Sequence, residues 1–295
     1  MDRRSVLAGL AVSSLAACAR AEPAATETPA AAPESLDLSA LEGDGRLGFV
    51  AHDLGSGRRL ASRGEERFVY CSTFKMYLAA ATFLRVQAGE ERLDRAVPVT
   101  AADMINHAPV TAPAVGASLT VQELMKGTVE VSDNPAANLL LKAMGGLEPM
   151  QAFYRSIGDA TTRVDRFEPE MNRLDGDKDT ILPLQSAANL KRLLIDADTP
   201  LAAESKALLL RWMTESPTGM GRIKAGVPAG WTVAHKTGTG GYGPTNDIGV
   251  LYPPAGAPVI VAAYHHAGRS SSDAANEAVI AGAVRRALAV LGRAA

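Results

Sequence analysis

The sequence predicts an α+β fold: an antiparallel five-stranded sheet flanked by helices, with an all-α lobe inserted between its strands. Three observations carry this. Strand-like runs lie at both ends of the globular part of the chain, the middle carries helical periodicity almost alone, and glycine- or proline-rich turns separate the strands. A sheet built from both chain ends, with helices packed on it, buries both kinds of apolar face.

Each element follows from its pattern. At the N-terminal side, GRLGFVAHDL and RRLASR flank Gly55-Ser56-Gly57 and read as a β-hairpin. Helices are expected over 72–88, 120–130, 134–144, 147–157, 184–196 and 202–213, where apolar residues recur at three- and four-residue spacing. Asn134-Pro135 reads as an N-cap followed by proline at the first helical position. After residue 230, WTVAHKTGT, NDIGVLYP and APVIVAAYHH are three further strands, and an amphipathic helix over 272–292 is entered through Ser270, Ser271, Ser272 and Asp273. The lobes are therefore residues 36–63 with 214–295 (α/β) and 64–213 (all-α), and a ligand site is expected in the cleft between them.

The first 35 residues differ in kind. MDRRSVLAGLAVSSLAAC, residues 1–18, has a charged start, an apolar stretch and small residues, the layout of an export signal. Arg3-Arg4 allow the twin-arginine route. The ending LAAC is similar to a bacterial lipobox, so Cys18 is expected to carry lipid and anchor the protein to a membrane, with a periplasmic location. The alternative is simple cleavage at Ala17-Cys18-Ala19. Residues 19–35, rich in Ala, Pro, Thr and Glu, read as a flexible tether. With Cys18 so used, Cys71 is left alone and no disulfide is available to the mature domain.

Composition narrows the function. The 295 residues are 47% hydrophobic and 21% charged with a net charge of −2, enough for a large core and without the basic excess of a nucleic-acid binder. His265 and His266 are neighbours on a strand and face opposite sides, and no histidine or carboxylate cluster has zinc-ligand spacing, so neither a metal site nor a cofactor is expected. GTGGYG near residue 240 lacks the Gly-Lys-Ser/Thr ending of a phosphate loop.

The chemistry begins at YCSTFKMYLAA, residues 70–80. Lys75 lies one turn after Ser72, on the same helix face, among apolar residues. Serine is a poor nucleophile without a base, a desolvated lysine can be one, and the N–H groups of a helix start can stabilise an oxyanion. Ser-x-x-Lys alone arises by chance about once in a chain of this size. Here it is followed in order by Ser132-Asp133-Asn134, by Glu168 and Asn172 in RVDRFEPEMN, and by Lys236-Thr237-Gly238.

That ordered set resembles class A β-lactamases and, without the Glu168 segment, penicillin-binding peptidases. The resemblance spans roughly residues 40–290 and includes GTVEVSDNPAANLLL, RSIGD and TGTGGYGPTND. It implies a monomeric, β-lactamase/transpeptidase-like hydrolase that opens β-lactam rings and confers resistance. By the same resemblance, Ser72 is the acylated nucleophile and Lys75 helps activate it. Ser132 relays a proton to the leaving nitrogen, and Glu168 with Asn172 activates the deacylating water. Lys236 and Thr237 bind the substrate carboxylate, Arg222 adds positive charge behind them, and Asn134 binds the side-chain amide. The Ser72 and Thr239 N–H groups form the oxyanion hole, and His107 takes the place of a cleft-rim aromatic. Arg166 and Asp179 close the loop that carries Glu168. Whether Lys75 or Glu168 is the acylation base stays open.

The chain departs from the family in three places. The stretch RLDGDKD after Asn172 is two residues shorter than in the commonest members. Cys71 matches a cysteine that some carbapenem-hydrolysing relatives bridge, but its partner position is Gly240, so the bridge is absent. His235 before Lys236 is uncommon. Three rivals share parts of the pattern: a DD-peptidase, a penicillin sensor acylated without turnover, and a non-catalytic lipoprotein. The first lacks the Glu168/Asn172 water site, the second carries transmembrane helices, and the third would not keep Ser72, Lys75 and Glu168.

Overall fold

The computed structural model describes residues 31–241, 243–268 and 271–294. The expected signal and Cys18, most of the tether, and Tyr242 and Ser270 lie outside these residues. Pro33–Ala295 form one compact unit.

The chain opens with a two-residue strand β1 (Glu34–Ser35), a short helix α1 (Ser39–Glu42) and the expected hairpin β2 (Arg46–Asp53) and β3 (Arg59–Ser62). A strand β4 (Phe68–Val69) leads through a 3-10 turn at Cys71–Thr73 into α2 (Phe74–Gln87). Then come β5 (Ala96–Pro98), β6 (Ser118–Thr120), α3 (Val121–Glu130), α4 (Asn134–Ala143) and α5 (Leu147–Ser156). They are followed by β7 (Thr180–Ile181), α6 (Pro183–Leu194), α7 (Ala203–Glu215) and α8 (Ile223–Gly226). The chain closes with β8 (Thr232–Thr239), β9 (Pro244–Tyr252), β10 (Val259–His266) and α9 (Asp273–Val290).

The main sheet runs β1-β3-β2-β10-β9-β8. Its five long strands pair antiparallel, as expected, and β1 adds a sixth, parallel edge. Glu34 and Ser35, the end of the expected tether, thus pair with Leu60 and Ala61. Two residues show no period, so the sequence carried no strand signal there. The helical lobe is likewise not purely helical: β4 pairs with β7 and β5 with β6 as short ribbons.

One face of the sheet shares a continuous core with the helical lobe, joining Val50, Ile248, Ile260 and Tyr264 to Phe74, Leu124, Leu140 and Trp212. The other face packs under α9 through Phe49, Leu251, Val261 and Val284. Helix α2 runs through the first core, and Phe74 to Phe83 are all buried. It is apolar on every side because α3, α4, α5 and α7 surround it.

One cap differs from expectation. Asp133, not Asn134, caps α4: its carboxylate accepts the Ala136 N–H at 2.8 Å and the Val110 and Thr111 N–H groups at 2.9 Å. Asn134 and Pro135 occupy the first helical turn. The asparagine side chain is committed elsewhere, to Lys75 and the Asn106 carbonyl. Helix α9 is capped by Ser272, whose hydroxyl accepts the Ala275 N–H.

Candidate active site

The nucleophile candidate is held by a strained turn. Ser72 sits inside the 3-10 turn before α2, rather than at the helix cap, and follows Cys71 at φ 48°. Positive φ at a non-glycine residue persists only where packing enforces it. Ser132 (φ 61°) and His107 (φ 60°) share this conformation. The Lys-Thr-Gly strand lies against the turn, and a Cβ on Gly238 would meet the Tyr70 carbonyl at 2.7 Å and the Ser72 nitrogen at 3.1 Å. Only glycine lets β8 approach this closely.

Six of the candidate side chains form one buried polar chain. Ser72 Oγ lies 3.4 Å from Glu168 Oε1. Glu168 Oε1 is also 3.1 Å from Lys75 Nζ, and neither side chain is exposed. Lys75 Nζ donates to the Ser132 carbonyl (2.7 Å), Ser132 Oγ (3.3 Å) and Asn134 Oδ1 (2.5 Å). Lys236 Nζ donates to Ser132 Oγ from the far side at 3.1 Å. Ser132 Oγ thus lies between two ammonium groups. Burial pushes both lysines below the usual range, Lys236 strongly. For Lys75 the Glu168 charge opposes the shift, while for Lys236 the Lys75 charge deepens it and Asp247 opposes it. The reach of Lys75 expected from its spacing goes to Ser132, Asn134 and Glu168, not to Ser72.

The Glu168 segment is fixed at several points. Asn172 Nδ2 donates to Glu168 Oε2, and Asn172 Oδ1 is buried with no hydrogen-bond partner among the described residues. Arg166 Nε meets Asp179 Oδ2 at 2.6 Å. Asp179 Oδ1 also accepts the Asp165 and Arg166 N–H groups and the Tyr70 hydroxyl. Asn138 was not foreseen: its side chain donates to the Glu168 carbonyl (2.9 Å) and accepts the Glu168 N–H (3.0 Å). A buried amide one turn after Asn134 on an otherwise apolar helix was the available signal.

The remaining candidates line a cleft of about 250 Å³ with Ser72, Asn106, His107, Ser132, Asn134, Asn172, Thr218, Arg222 and the Thr237–Thr239 strand. Arg222 reaches β8 from behind, donating to the Gly238 and Asn246 carbonyls (3.0 and 2.9 Å) and to Thr239 Oγ1 (2.8 Å). Glu277 on α9, unforeseen because it is remote in sequence, holds Arg222 Nε at 3.1 Å. Thr237 Oγ1 lies 2.8 Å from Thr218 Oγ1. His107 stands on the cleft wall with Nε2 2.8 Å from the Val131 carbonyl. Cys71 is a free, buried thiol that burial raises well above the thiol range, and it is chemically inert there.

A serine at a backbone-lined turn, a buried lysine–carboxylate pair and a second serine between two ammonium groups define a serine acyl-transfer hydrolase. Comparison with known proteins agrees. The Beta-lactamase enzyme family matches residues 34–291. Beta-lactamase L2 of Stenotrophomonas maltophilia is 41% identical over 272 residues, covering 90% of this chain and 89% of the relative. The carbapenem-hydrolyzing beta-lactamase KPC of Klebsiella oxytoca is 42% identical over 251 residues, covering 84% and 85%. Among solved structures, an ancestral (GNCA) class A beta-lactamase aligns with TM-score 0.82 at 45% identity, covering 86% of this chain and 98% of its own. A class A beta-lactamase from Mycobacterium abscessus gives TM-score 0.82 at 42% identity, covering 86% and 98%. The chain belongs to the β-lactamase enzyme family, in class A, and is a β-lactam hydrolase.

Proposed function

We propose that this β-lactamase works through an ester on Ser72 that Glu168 and Asn172 cause water to hydrolyse. The observation that supports this most directly is the 3.4 Å contact of Ser72 Oγ with Glu168 Oε1. Lys75 Nζ meets four oxygen acceptors: the Ser132 carbonyl and hydroxyl, Asn134 Oδ1 and Glu168 Oε1. A nitrogen so surrounded is a protonated ammonium and has no lone pair to accept a proton. Glu168 is therefore the acylation base in this arrangement, with Lys75 tuning its field. Ser72 Oγ attacks the ring carbonyl as its proton passes to Glu168. The oxyanion is met by the Ser72 and Thr239 N–H groups. Ser132, between Lys75 and Lys236, gives its proton to the departing ring nitrogen and is reprotonated by Lys75, which in turn takes back the proton that Glu168 removed from Ser72, so that Glu168 is again a carboxylate.

Deacylation uses the same carboxylate. Glu168 takes a proton from water, which attacks the ester, and Asn172 Oδ1, buried and unpaired with protein, is an acceptor that can orient that water. Lys236, Thr237 and Arg222 hold the substrate carboxylate, Asn134 the side-chain amide, and His107 the outer wall. No observation favours a DD-peptidase. The function in the cell is resistance to β-lactams. Beyond the described residues, we infer export to the periplasm and lipid attachment at Cys18, with a monomeric enzyme on a short tether.

The test is hydrolysis of a chromogenic cephalosporin by the parent and by Glu168→Ala. The parent is expected to turn over many times. In the variant Lys75 loses the carboxylate that favours its proton and can take the Ser72 proton instead, so acylation is expected to be slow and to stop as a covalent adduct visible in the intact mass. A single stoichiometric burst from the parent would sink the deacylation scheme. Growth with radiolabelled fatty acid, beside a Cys18→Ala control, tests the anchor. Label absent from the parent would leave simple cleavage as the processing step.

A further inference from the structure

The residue before Lys236 does not face the cleft. His235 turns to the opposite side of β8 and is fully buried, with Nδ1 2.9 and 3.0 Å from the two carboxylate oxygens of Asp247 on β9. Asp247 is equally buried, and its Oδ2 also accepts the N–H of Ile223, the first residue of α8 and the neighbour of Arg222, at 3.2 Å. The strand register places Gly249 directly across from His235. A Cβ there would stand 2.9 Å from His235 Cβ and 2.4 Å from the Ala234 carbonyl. Position 249 is thus empty where the histidine lies.

Protonation follows from the partners. Nδ1 faces two carboxylate oxygens, and Nε2 is buried with no hydrogen-bond partner among the described residues. An imidazolium would leave a buried N–H without an acceptor, whereas the neutral Nδ1–H tautomer leaves only a lone pair unpaired. The pair then carries the single negative charge of Asp247.

We propose that His235–Asp247 is a positioning pair for the carboxylate-binding end of the cleft: it fixes one negative charge behind Lys236 and ties the segment carrying Arg222 to the Lys-Thr-Gly strand. The proposal rests on the reading that Lys236 binds the substrate carboxylate. On the cleft side Lys236 shares Ser132 Oγ with Lys75, and the strand register sets Asp247 opposite Thr237, the next residue along β8. The Lys75 and Arg222 charges disfavour the Lys236 proton, and Glu168 is the other carboxylate that favours it. From α8, Lys224 also feels Asp247 but donates to the Thr214 and Ser216 carbonyls. From α9, Glu277 is engaged by Arg222. Asp247 is therefore the charge on the far side of the strand that favours an ammonium at Lys236.

Two measurements test this. NMR of the imidazole nitrogens in the full-length parent, assigned with His235→Asn, is expected to show a neutral Nδ1–H tautomer at neutral pH. A bare Nδ1 with Nε2–H would put the proton on Asp247, and a doubly protonated ring would cancel its charge. Either result overturns the proposal. In kinetics, Asp247→Asn is expected to raise KM about tenfold with kcat within about threefold of the parent. It should also move the alkaline limb of kcat/KM to lower pH, because Lys236 loses the charge that favours its proton. His235→Asn, which keeps an N–H near the Nδ1 position, should keep the parental limb. An unshifted limb in Asp247→Asn, or a fall in kcat alone, overturns the proposal. Lys236→Ala run alongside separates the two readings: raised KM there but not in Asp247→Asn defeats only the pair, and unchanged KM in both defeats the carboxylate site.

Discussion

Lys75 Nζ and Glu168 Oε1 stand 3.1 Å apart, and neither side chain has any exposed surface. A buried pair of this kind is weak as a source of stability, because desolvation offsets most of its attraction, but removing one partner strands the other. The proposed mechanism gives both charges a use in the chemistry, which stability alone does not.

Glu168→Gln tests that point with little change in shape. The Lys75 ammonium keeps three oxygen partners, so the fold is expected to survive. Hydrolysis of the acyl-enzyme should slow by about 10²–10⁴-fold, the usual worth of a positioned base. Rapid-quench mass spectrometry would read the ester directly, and wild-type deacylation in this variant would remove Glu168 from the mechanism. Ser72→Ala should form no ester at all.

Asn138 tests whether the loop backbone must be held as well as the carboxylate. Its amide satisfies both the N–H and the carbonyl of Glu168. Asn138→Ala leaves both buried groups unpaired and should cost about 2–4 kcal/mol in urea unfolding. Acylation and deacylation should both slow, since Glu168 is the base in each and loses its anchor. Parental rates in both steps, beside a lowered unfolding free energy, would assign Asn138 to stability alone.

The Arg166–Asp179 bridge closes the same loop, and its two ends are unequal. Arg166 retains partial exposure, whereas Asp179 is fully buried and gathers four donors from Arg166, Asp165 and Tyr70. Asp179→Ala should cost about 3–5 kcal/mol, and Arg166→Ala less, because water can reach a partly exposed guanidinium site but not a buried acceptor. Paired melting curves decide it. A larger loss in Arg166→Ala would reverse the assignment of Asp179 as the anchor.

How much of this could be read from the chain depends on the range of the interaction. Helix α2, the strands β8 to β10 and the order of Ser72, Lys75, Ser132, Glu168 and Lys236 were legible because periodicity and motif spacing are local properties. The cap of α4 was displaced by one residue because Asn134 is drawn to Lys75, a partner remote in sequence. Strand β1 is too short to show alternation. Asn138, Glu277 and the pairing of His235 with Asp247 depend on the packing of distant segments and on strand register. The purpose of a lone buried polar residue is visible only when its partner is.

His266 is expected to make the fold less stable in acid. The ring packs edge-on against Phe68 at 4.9 Å, under an Arg46 guanidinium 4.5 Å from the Phe68 ring centre. Burial, then the Arg46 charge, lower its pKa from 6.5 to about 4. In the native protein the imidazole stays neutral down to that value, while in the unfolded chain it takes up a proton near 6.5. Between these limits His266 binds more protons in the unfolded state, so its contribution to stability is expected to fall as pH falls and to level off below about 4, where both states are charged. His265 and His52, also lowered by burial, act in the same direction. Replacing His266 by Phe keeps an aromatic ring against Phe68 and removes the titration. Urea unfolding at a series of pH values should show a shallower acid slope in His266→Phe than in the parent, with the two curves running parallel above pH 7. Identical slopes through the acid range would mean that the acid sensitivity arises elsewhere, with the paired carboxylates of the Glu168 loop the next groups to examine.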